Sequence, residues 1–400
     1  MREAAIGISR DSRWVERSLS DVTELLRRGT APSYVSSSTV RVIGQRCVQI
    51  SGFQAEAARS HDPGKMSRSL IAEHGDVLLN STGTGTIGRS CLFDDKGIFV
   101  VDSHVTVLRA RRDLVEPRWI DLILRSPWGQ SRLESHCFVG STNQVELSRV
   151  ELAGTVIPVP PLDEQRRIVE VIDAVSAQER AIEASVAKLR ETRRAALDAM
   201  LGALSWDHTL ADVADGAIRN GFSPVETEEW TGVQMLGLGC LSASGFAPLQ
   251  LKNAPSTVTA DHKAVLQDGD LLMSRANTRE LVGMVGVFRD VGTPCIYPDL
   301  MMRIRPMKGC STRFLAASLM STRGRRYIQS MAQGTSGSMV KISARTVREI
   351  PVPLPSLEEQ RRVLSALASF DTSVETETAE LAKLRTLRRG IVDDLLAGSV

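Results

Sequence analysis

The sequence predicts an α+β protein that contains two similar mixed α/β blocks, each followed by one long helix. The helical segment occurs twice, and its copies open with IPVPPLDEQRRIV at residues 157–169 and IPVPLPSLEEQRRV at residues 350–363. Gln165 and Gln360 of these copies lie 195 positions apart. A period of this length is far above that of a solenoid repeat. It therefore indicates a duplicated domain together with its helix.

Each helical segment carries a narrow apolar stripe whose members are spaced alternately four and three residues apart, as the seam of a coiled coil requires. At about 1.5 Å per residue, roughly forty residues form a rod of about 60 Å, which a small globular core cannot cover. We therefore expect the two seams to pack against each other. Their residues are Ile168, Ile172, Val175, Ile182, Val186, Leu189, Ala196 and Met200 in the first segment and Val363, Leu367, Phe370, Val374, Leu381, Leu384, Ile391 and Leu395 in the second.

Four charged residues, Glu179, Arg193, Glu377 and Arg388, interrupt these seams. One interpretation is that they form polar layers that are tolerated because they lie close to water. The other is that they fix the register and the antiparallel orientation of the two helices. The sequence pattern leaves both interpretations open.

Composition narrows the class of protein. The 400 residues are 42% hydrophobic, which suggests two or three domains with cores of their own. Because there is no apolar run near 18 residues and no charged-then-apolar leader, we expect a cytoplasmic protein without a membrane span. The net charge of +2 neither supports nor excludes a nucleic-acid partner. Six dispersed cysteines without a CxxC pair predict reduced packing residues.

The two blocks that precede the helices match each other along their length. In each block a Gly-Asp turn leads into a short apolar run and then a polar stretch, GDVLLNSTGTGTIGR from Gly75 and GDLLMSRANTRELVG from Gly269. The apolar run predicts a buried strand, and the polar stretch predicts an exposed loop. A second polar loop closes each block, with GSTNQVELS at residues 140–148 and GTSGSMVKIS at residues 334–343.

The first polar loop contains two patterns associated with nucleotide binding. Gly83, Gly85 and Gly88 spell GxGxxG, and residues 83–90 spell GxxxxGRS, one Lys-to-Arg change from a Walker A loop. Both patterns need a helix whose N-terminal amides hold phosphate. The residues that follow here, CLFDDKGIFVV, are strand-like and turn-like. We therefore expect the glycines to permit a tight turn and the close approach of backbone to a ligand.

No pattern of catalytic residues accompanies this loop. The sequence has no HExxH motif, no kinase-type catalytic loop and no nucleophile elbow, and its six histidines are dispersed without metal-ligand spacing. We therefore expect neither catalytic residues nor a metal site in this chain.

The duplicated IPVPPLDEQRRIV segment, together with GDVLLNSTGTGTIGR and FVGSTNQVELSRVELAGTVIPVP, closely resembles the DNA specificity (S) subunit of type I restriction-modification enzymes. The resemblance covers essentially the whole chain. It implies two pseudo-symmetric mixed α/β target recognition domains separated by two long helices that pack as an antiparallel coiled coil. The expected boundaries are 1–160 for the first domain, 161–205 for the first spacer helix, 206–355 for the second domain and 356–400 for the second spacer helix.

The same resemblance implies a non-catalytic reader of DNA. Each domain would read one half of a bipartite double-stranded target, and a rigid spacer would fix the gap, which a flexible linker cannot do. Two modification (methyltransferase) subunits carrying S-adenosylmethionine would methylate adenine, and restriction subunits would join them. This chain would bind no cofactor itself, and it has no NPPF-like or DPPY-like tetrapeptide.

We expect the DNA contacts to come from polar residues of the exposed loops. Base edges are read by Arg, Asn, Gln, Ser and Thr, whereas phosphates bind Arg, Lys and backbone amides. The candidates are Asn80, Ser81, Thr82, Thr84, Arg89, Asn143 and Gln144 in the first domain and Ser274, Arg275, Asn277, Thr278, Arg279, Ser338 and Lys341 in the second. The second loop has Arg and Asn where the first has Gly and Thr, which suggests different half-site sequences.

Two other functions stay open at this point. A coiled-coil adaptor without DNA binding would explain the helices, although a scaffold has no need of two diversified loop sets on one frame. A nucleotide-binding enzyme would rest on the glycine loop alone, and its second copy lacks both glycine patterns.

Overall fold

The computed structural model describes residues 14–140, 145–334 and 339–397. The chain divides into two compact units. Unit 1 comprises Met1–Glu183 and Ala379–Val400, and unit 2 comprises Ala184–Thr378. Each unit therefore contains one α/β domain together with parts of both long helices. Among the described helices, none combines the length and the apolar character that crossing a membrane requires.

Unit 1 contains a domain of short strands and helices. Its strands are β1 (Val15–Ser18), β2 (Thr23–Arg28), β3 (Val40–Ile43), β4 (Val48–Gln49), β5 (Gly52–Phe53), β6 (Arg59–Ser60), β7 (Val77–Asn80), β8 (Ser90–Leu92), β9 (Ile98–Val101), β10 (Val105–Ala110), β11 (Phe138–Val139), β12 (Glu146–Leu147) and β13 (Val156–Val159). Its helices are α1 (Leu19–Val22), α2 (Pro117–Arg125), α3 (Pro127–Arg132), α4 (Arg149–Gly154) and the first part of α5 (Leu162–Gly202).

The central sheet of unit 1 is antiparallel and has the strand order β2-β10-β7-β8. Because successive side chains of a strand point to opposite faces, β7 contributes to two cores. Val77 and Leu79 belong to a core with Trp119 of α2. Leu78 belongs to a second core with Ile43, which lies on the three-stranded sheet β6-β3-β9. The central sheet is thus covered by helices on one face and by a small sheet on the other.

Unit 2 contains a second domain with a closely similar order of elements. Its strands are β14 (His208–Thr209), β15 (Arg219–Asn220), β16 (Gln234–Leu236), β17 (Leu241–Ser242), β18 (Gly245–Phe246), β19 (Leu251–Asn253), β20 (Leu271–Ser274), β21 (Ala276–Asn277), β22 (Val285–Val287), β23 (Cys295–Ile296), β24 (Met301–Ile304), β25 (Val340–Lys341) and β26 (Pro351–Val352). Its helices are α6 (Leu210–Val213), α7 (Thr312–Met320), α8 (Thr322–Met331), α9 (Ala344–Arg348) and the first part of α10 (Leu357–Ala397).

The central sheet of unit 2 has the strand order β15-β24-β20-β22, and β20 again faces two cores. Leu271 and Met273 pack with Leu315 of α7, whereas Leu272 packs with Ile296 of the three-stranded sheet β19-β16-β23. In both units the strand before the polar loop is therefore buried on both sides, which explains its uninterrupted apolar run.

The Gly-Asp turn before this strand has the same role in both units. Asp76 is 2% exposed and accepts a hydrogen bond from Arg109 Nε (2.9 Å), while Asp270 is 4% exposed and accepts one from Arg305 Nε (2.6 Å). Each carboxylate also accepts from a backbone N–H three residues earlier, at 2.7 and 3.0 Å. The hydrogen bond that each arginine donates to its aspartate raises the pKa of that arginine. Each aspartate side chain is buried, and its arginine and backbone partners make that burial tolerable.

Glycine is required at two matched positions, Gly29 and Gly221, because neighbouring backbone lies very close to each. A Cβ atom on Gly29 would collide with the backbone carbonyl of Val101, and one on Gly221 would collide with the backbone carbonyl of Tyr297. The backbone of the matched segment therefore runs against the end of a neighbouring strand in each domain, at a distance that only glycine permits.

The long helices α5 and α10 are 41 residues each. In unit 1 the first part of α5 packs against the last part of α10, because Ile168 and Ile172 share a core with Val392. Further along α5, Glu179 accepts a hydrogen bond from Arg388 Nε (2.9 Å). Along this contact the residue numbers rise on α5 and fall on α10. The two helices therefore run antiparallel in this unit.

Unit 2 contains the complementary parts of the same helices. Leu201 of α5 shares a core with Val363 of α10, and Arg193 Nε donates to Asp371 Oδ1 (2.6 Å). The numbering again runs in opposite directions along the two helices. The structure therefore confirms the predicted fold class of two mixed α/β domains with two long helices that pack antiparallel.

The residues predicted for the two seams are buried or half-buried throughout. Those that are buried are Ile168, Ile172, Ile182, Val186, Val363, Leu367, Leu381 and Leu395, and those that are half-buried are Val175, Leu189, Ala196, Met200, Phe370, Val374, Leu384 and Ile391.

The charged residues of the seams differ in their surroundings. The side chain of Glu179 is only 9% exposed, whereas that of its partner Arg388 is 39% exposed, so only the carboxylate of this pair is removed from water. Arg193 and Asp371 are 31% and 50% exposed, which fits the interpretation as a solvated layer. Glu377 Oε1 accepts a hydrogen bond from Ser185 Oγ (3.0 Å). One pair in the seam thus has a buried carboxylate, and in another pair both side chains are partly exposed.

All six cysteines are buried, and none forms a disulfide. Burial raises the pKa of Cys91 and of Cys295 to about 12, so both remain protonated thiols at neutral pH.

Candidate nucleic-acid interface

The polar loop of unit 1 lies between β7 and β8 and is fastened from several directions. Gln45 Nε2 donates to the carbonyl oxygen of Thr82 (2.7 Å) and to its Oγ1 (2.6 Å), and Thr82 Oγ1 also lies 2.8 Å from His104 Nδ1. Arg89 Nη2 donates to the carbonyl of Gly85 (2.6 Å) across the loop. The loop therefore has a defined conformation, and Thr84 is exposed at its tip.

Two residues predicted to contact DNA from this loop are buried instead. Asn80 and Ser81 are both 0% exposed. Asn80 Nδ2 donates to the carbonyl of Gln45 (3.2 Å), and Ser81 Oγ is hydrogen-bonded to Thr106 Oγ1 (2.6 Å). Because a buried side chain cannot reach a base edge or a phosphate, we withdraw these two from the set of candidate DNA contacts. They stabilise the base of the loop.

The loop does not have the arrangement of a phosphate-binding loop. Such a loop opens a helix, so that the N-terminal amides of the helix point at the phosphates. Here strand β8 follows directly and pairs with β7 through Leu79 and Ser90. The expectation that the glycines of this loop serve its backbone path rather than a nucleotide agrees with this geometry.

The polar loop of unit 2 occupies the same place after β20. Ser274 is 1% exposed, and we withdraw it for the same reason as Asn80 and Ser81. Arg275 is half-buried, Asn277 accepts a hydrogen bond on Oδ1 from the N–H of Thr278 (2.9 Å), and Arg279 is exposed. This loop therefore presents cationic and amide groups where the loop of unit 1 presents a hydroxyl.

In both units the structure brings the two predicted polar loops together by the same backbone contact. The N–H of Leu147 donates to the carbonyl of Ser81 (2.8 Å), and the N–H of Ile342 donates to the carbonyl of Arg275 (3.0 Å). In unit 2 this places exposed Lys341 opposite Ala276 in the short β21–β25 ladder. Asn143, Gln144 and Ser338 lie outside the described residues.

The loops are also supported from the same helix position in the two domains. Gln130 Nε2 of α3 donates to the carbonyl of Gly88 (2.9 Å). Arg325 of α8, 195 positions later, donates to the carbonyls of Val282 (2.8 Å) and Glu280 (2.9 Å). Burial lowers the pKa of Arg325, although the two carbonyls accept hydrogen bonds from it. One support is a neutral amide and the other is a guanidinium.

Several of these supporting residues were missed from the sequence. Gln45, Gln130 and Arg325 lie far from the loops in the sequence, and no local pattern connects them to the loops. Arg28 is another, because its Nη1 donates to Glu146 Oε2 (3.1 Å) beside the second loop of unit 1. The 195-residue offset between Gln130 and Arg325, in helices that match each other, was the one signal that pointed to a shared role.

A family model for the type I restriction modification DNA specificity domain matches the chain twice, over residues 11–189 and 208–386. The chain belongs to this family of type I DNA specificity proteins. The resemblance identified from the sequence is thereby confirmed. Both matches run from an α/β domain into the long helix that follows it, so the family unit is the domain with its helix.

Curated relatives of this specificity-family chain align over nearly its whole length. The Escherichia coli (strain K12) type I restriction enzyme EcoKI specificity subunit is 23% identical over 422 residues, which cover 97% of this chain and 89% of that protein. The putative type I restriction enzyme MjaX specificity subunit of Methanocaldococcus jannaschii is 22% identical over 421 residues, with 97% and 93% covered.

Solved structures share the fold of this family member. One, reported for complex assembly and conformational transition of the type I R-M system, aligns over 97% of this chain and 99% of that chain with a TM-score of 0.61 and 20% identity. The S subunit of a type I restriction-modification system from M. genitalium aligns over 97% and 98%, with a TM-score of 0.53 and 14% identity.

Within the described parts of the chain, no group of three or more His, Cys, Asp or Glu residues is placed to hold a metal ion. The candidate interface of this specificity-family protein consists of backbone loops with polar and basic side chains. Such groups can donate to phosphates and base edges.

Proposed function

We propose that the chain is the specificity subunit of a type I restriction-modification system, and that each of its two domains reads one half of a bipartite DNA target. The observation that carries this proposal is the duplicated loop frame with different exposed side chains. Equivalent backbone bonds join the two loops in each unit, at 2.8 Å between Leu147 and Ser81 and at 3.0 Å between Ile342 and Arg275. Loops that share the same backbone hydrogen bonds but expose different side chains are suited to reading two different DNA sequences.

The proposed DNA contacts are the loop residues whose side chains are at least partly accessible. Exposed Arg279 and Lys341 would bind phosphates or guanine edges, while Asn277 and Thr278 offer amide and hydroxyl groups. In unit 1, Thr82, Thr84 and Arg89 would supply the contacts, although Arg89 Nη1 is already bonded to Gln49 Oε1 (3.1 Å). Because unit 2 exposes two cations, Arg279 and Lys341, we expect the second half-site to contribute more of the electrostatic affinity than the first.

The partners follow from the same proposal. Two modification subunits carrying S-adenosylmethionine would dock beside the helices and methylate adenine, and restriction subunits would complete the nuclease. The specificity chain itself would bind no cofactor and would catalyse no reaction. As a partner of DNA and of these subunits, it would work in the cytoplasm.

The proposal is tested by sequencing the methylated bases of a host that expresses this chain together with its modification subunit. The matched control is the same host without this chain. We expect a methylated bipartite motif with a fixed gap to appear only in the first host. If the modification subunit is expressed and bound but no motif appears, the adaptor function without DNA binding becomes the better explanation.

A further inference from the structure

A buried glutamine occupies the same position at the start of each long helix. Gln165 lies in the first turn of α5 and is 0% exposed. Its Oε1 accepts a hydrogen bond from the backbone N–H of Glu116 (2.8 Å). Its Nε2 donates to the carbonyl of Leu114 (3.1 Å) and to the carbonyl of Pro160 (2.7 Å). One side chain therefore connects the helix, the strand end before it and the domain.

Gln360 repeats this arrangement in unit 2. It is also 0% exposed, and its Oε1 accepts from the N–H of Ser311 (2.8 Å). Its Nε2 donates to the carbonyl of Gly309 (2.8 Å) and to the carbonyl of Pro355 (2.9 Å). The three contacts match those of Gln165 atom for atom.

We call the contact between each domain and the start of its long helix the joint. The hydrogen bonds at the joint require glutamine. The side chain uses one acceptor and two donors, so its buried amide is fully paired. Glutamate would keep the acceptor but lose both donors, and asparagine would be one methylene too short. The residue that donates to Oε1, Glu116 or Ser311, is the N-cap of a domain helix, α2 or α7. The joint therefore holds the start of a domain helix against the start of the long helix.

We propose that Gln165 and Gln360 are positioning residues that fix the angle of each domain on its long helix and thereby set how strictly the gap between the half-sites is measured. This inference rests on the proposed function. It assigns to the two glutamines a role in target specificity although they are buried away from any DNA.

The angle matters because each domain acts as a lever arm on its joint. A domain of about 150 residues has a radius of gyration of about 15 Å, so its loops lie on the order of 20 Å from the joint. With an arm of that size, a tilt of about 10° at the joint would move such a loop by about 3.5 Å. One base pair advances a duplex by about 3.4 Å. A small loss of angular definition is therefore equivalent to accepting a gap that is one base pair too long or too short.

The two joints also differ in their ion pairs, of which unit 1 has more. In unit 1, Arg118 Nη2 of α2 pairs with Asp173 Oδ1 of α5 at 2.6 Å. The positions 195 residues later are Arg313 and Ala368, so this ion pair has no counterpart. The joint of unit 2 depends more on its glutamine. We therefore expect Gln360→Met to relax gap discrimination more than Gln165→Met.

The test is methylation by the complex of the full chain with its modification subunits. The substrates carry the native motif with its native gap or with a gap one base pair longer or shorter. Methionine keeps approximately the length of glutamine and removes all three hydrogen bonds. We expect Gln360→Met to lower the ratio of methylation at the native gap to that at the altered gaps by about tenfold. Gln178→Met, at an exposed position of α5, is the control and should leave the ratio unchanged.

The gap ratio separates positioning from stability. A uniform fall in methylation at every gap, or an unchanged ratio, would overturn the inference. Where a methionine variant does not assemble, Gln360→Glu and Gln165→Glu keep the acceptor and are measured in the same way. Failure of all four variants to assemble would assign the glutamines to folding, which also contradicts the inference. If the unaltered complex methylates no fixed-gap motif, it is the proposed function that fails.

Discussion

Units 1 and 2 are alike where residues are buried and different where they are exposed. Asp76 and Asp270 hold equivalent arginines beside equivalent strands. The exposed tips differ, since unit 1 presents Thr84 and unit 2 presents Arg279. The comparison teaches that the duplicated interior defines a frame, whereas specificity belongs to the few side chains that the frame presents.

The interior is not fully symmetric, and the loop supports show this most clearly. Gly88 and Gly283 are both in the left-handed region, with φ of +82° and +70°. A Cβ atom at Gly88 would lie 3.1 Å from both the amide oxygen of Gln130 and the ring of Phe138, whereas one at Gly283 would collide with the side chain of buried Ile328. The loop of unit 2 is therefore the more tightly packed of the two.

The largest effect is expected from replacing these glycines. Both changes force a non-glycine residue into the left-handed region, at about 1–2 kcal/mol. Gly283→Ala adds an overpacking cost of about 1–3 kcal/mol. We expect the free energy of unfolding, measured for each unit by hydrogen exchange, to fall by about 2–5 kcal/mol for Gly283→Ala and by about 1–2 kcal/mol for Gly88→Ala.

Gly292→Ala is the control, because Gly292 has a φ of +83° and a Cβ atom there would meet no heavy atom of the described residues within 4 Å. The free energy of unfolding of Gly292→Ala should fall only by the conformational cost of the left-handed backbone. An equal fall in the free energy of unfolding for Gly283→Ala and Gly292→Ala would contradict the tighter packing of the unit 2 loop.

The polar pairs of the seam provide the next comparison. Glu179 is 9% exposed and Asp371 is 50% exposed. Glu179→Ala leaves Arg388 without its buried partner, and we expect the free energy of unfolding to fall by about 2 kcal/mol. Asp371→Ala removes a surface pair and should cost less than about 1 kcal/mol, and about 1 M salt should abolish its effect.

A double-mutant cycle with Arg388→Ala isolates the energy of the Glu179–Arg388 pair from other effects of truncation. A coupling energy near zero between Glu179 and Arg388 would show that this pair does not hold the helices in register.

A smaller effect is expected from the exposed loop cations. Arg279→Ala should weaken binding of the target duplex by up to about tenfold at about 0.15 M salt and reduce the salt slope by about one, since one phosphate contact is lost. Thr84→Ala in unit 1 should leave the slope unchanged. Arg345→Ala, which removes a 91%-exposed arginine outside the loops, is the control. An unchanged salt slope for Arg279→Ala would remove this residue from the proposed interface.

The smallest effect tests the buried base of the loop. Ser81→Ala removes the hydrogen bond to Thr106 and should lower the free energy of unfolding by about 1 kcal/mol. DNA affinity should stay within about twofold of the unaltered chain, because a buried hydroxyl makes no base or phosphate contact. A large loss of affinity without a loss of stability would restore Ser81 to the set of DNA contacts.

The helices and the duplication were predictable from the sequence because both depend on periodicity. The seam from Ile168 to Leu395 follows the spacing of a coiled coil, and the repeat aligns Gln165 with Gln360. The loop positions after β7 and β20 were predictable as well, because Gly-Asp turns and apolar runs mark the strands that precede them.

The burial of individual polar residues was not predictable in this way. Asn80, Ser81 and Ser274 are polar and adjoin a loop, but each lies within or just after a buried strand end. Ser81 is satisfied there by Thr106, a partner 25 residues away that no local pattern indicates. The roles of the two buried glutamines were missed for the same reason, because the backbone N–H groups that donate to Gln165 and Gln360 lie 49 residues earlier in the chain.

The central claim is that each domain reads one half-site, and an exchange of domains tests it most directly. Residues 206–355 are replaced by a second copy of residues 14–160, and the methylated motif is sequenced in a host that also expresses the modification subunit. We expect a bipartite motif whose two halves have the same sequence, that of the half-site read by unit 1. Retention of the original motif with two different halves would contradict the claim.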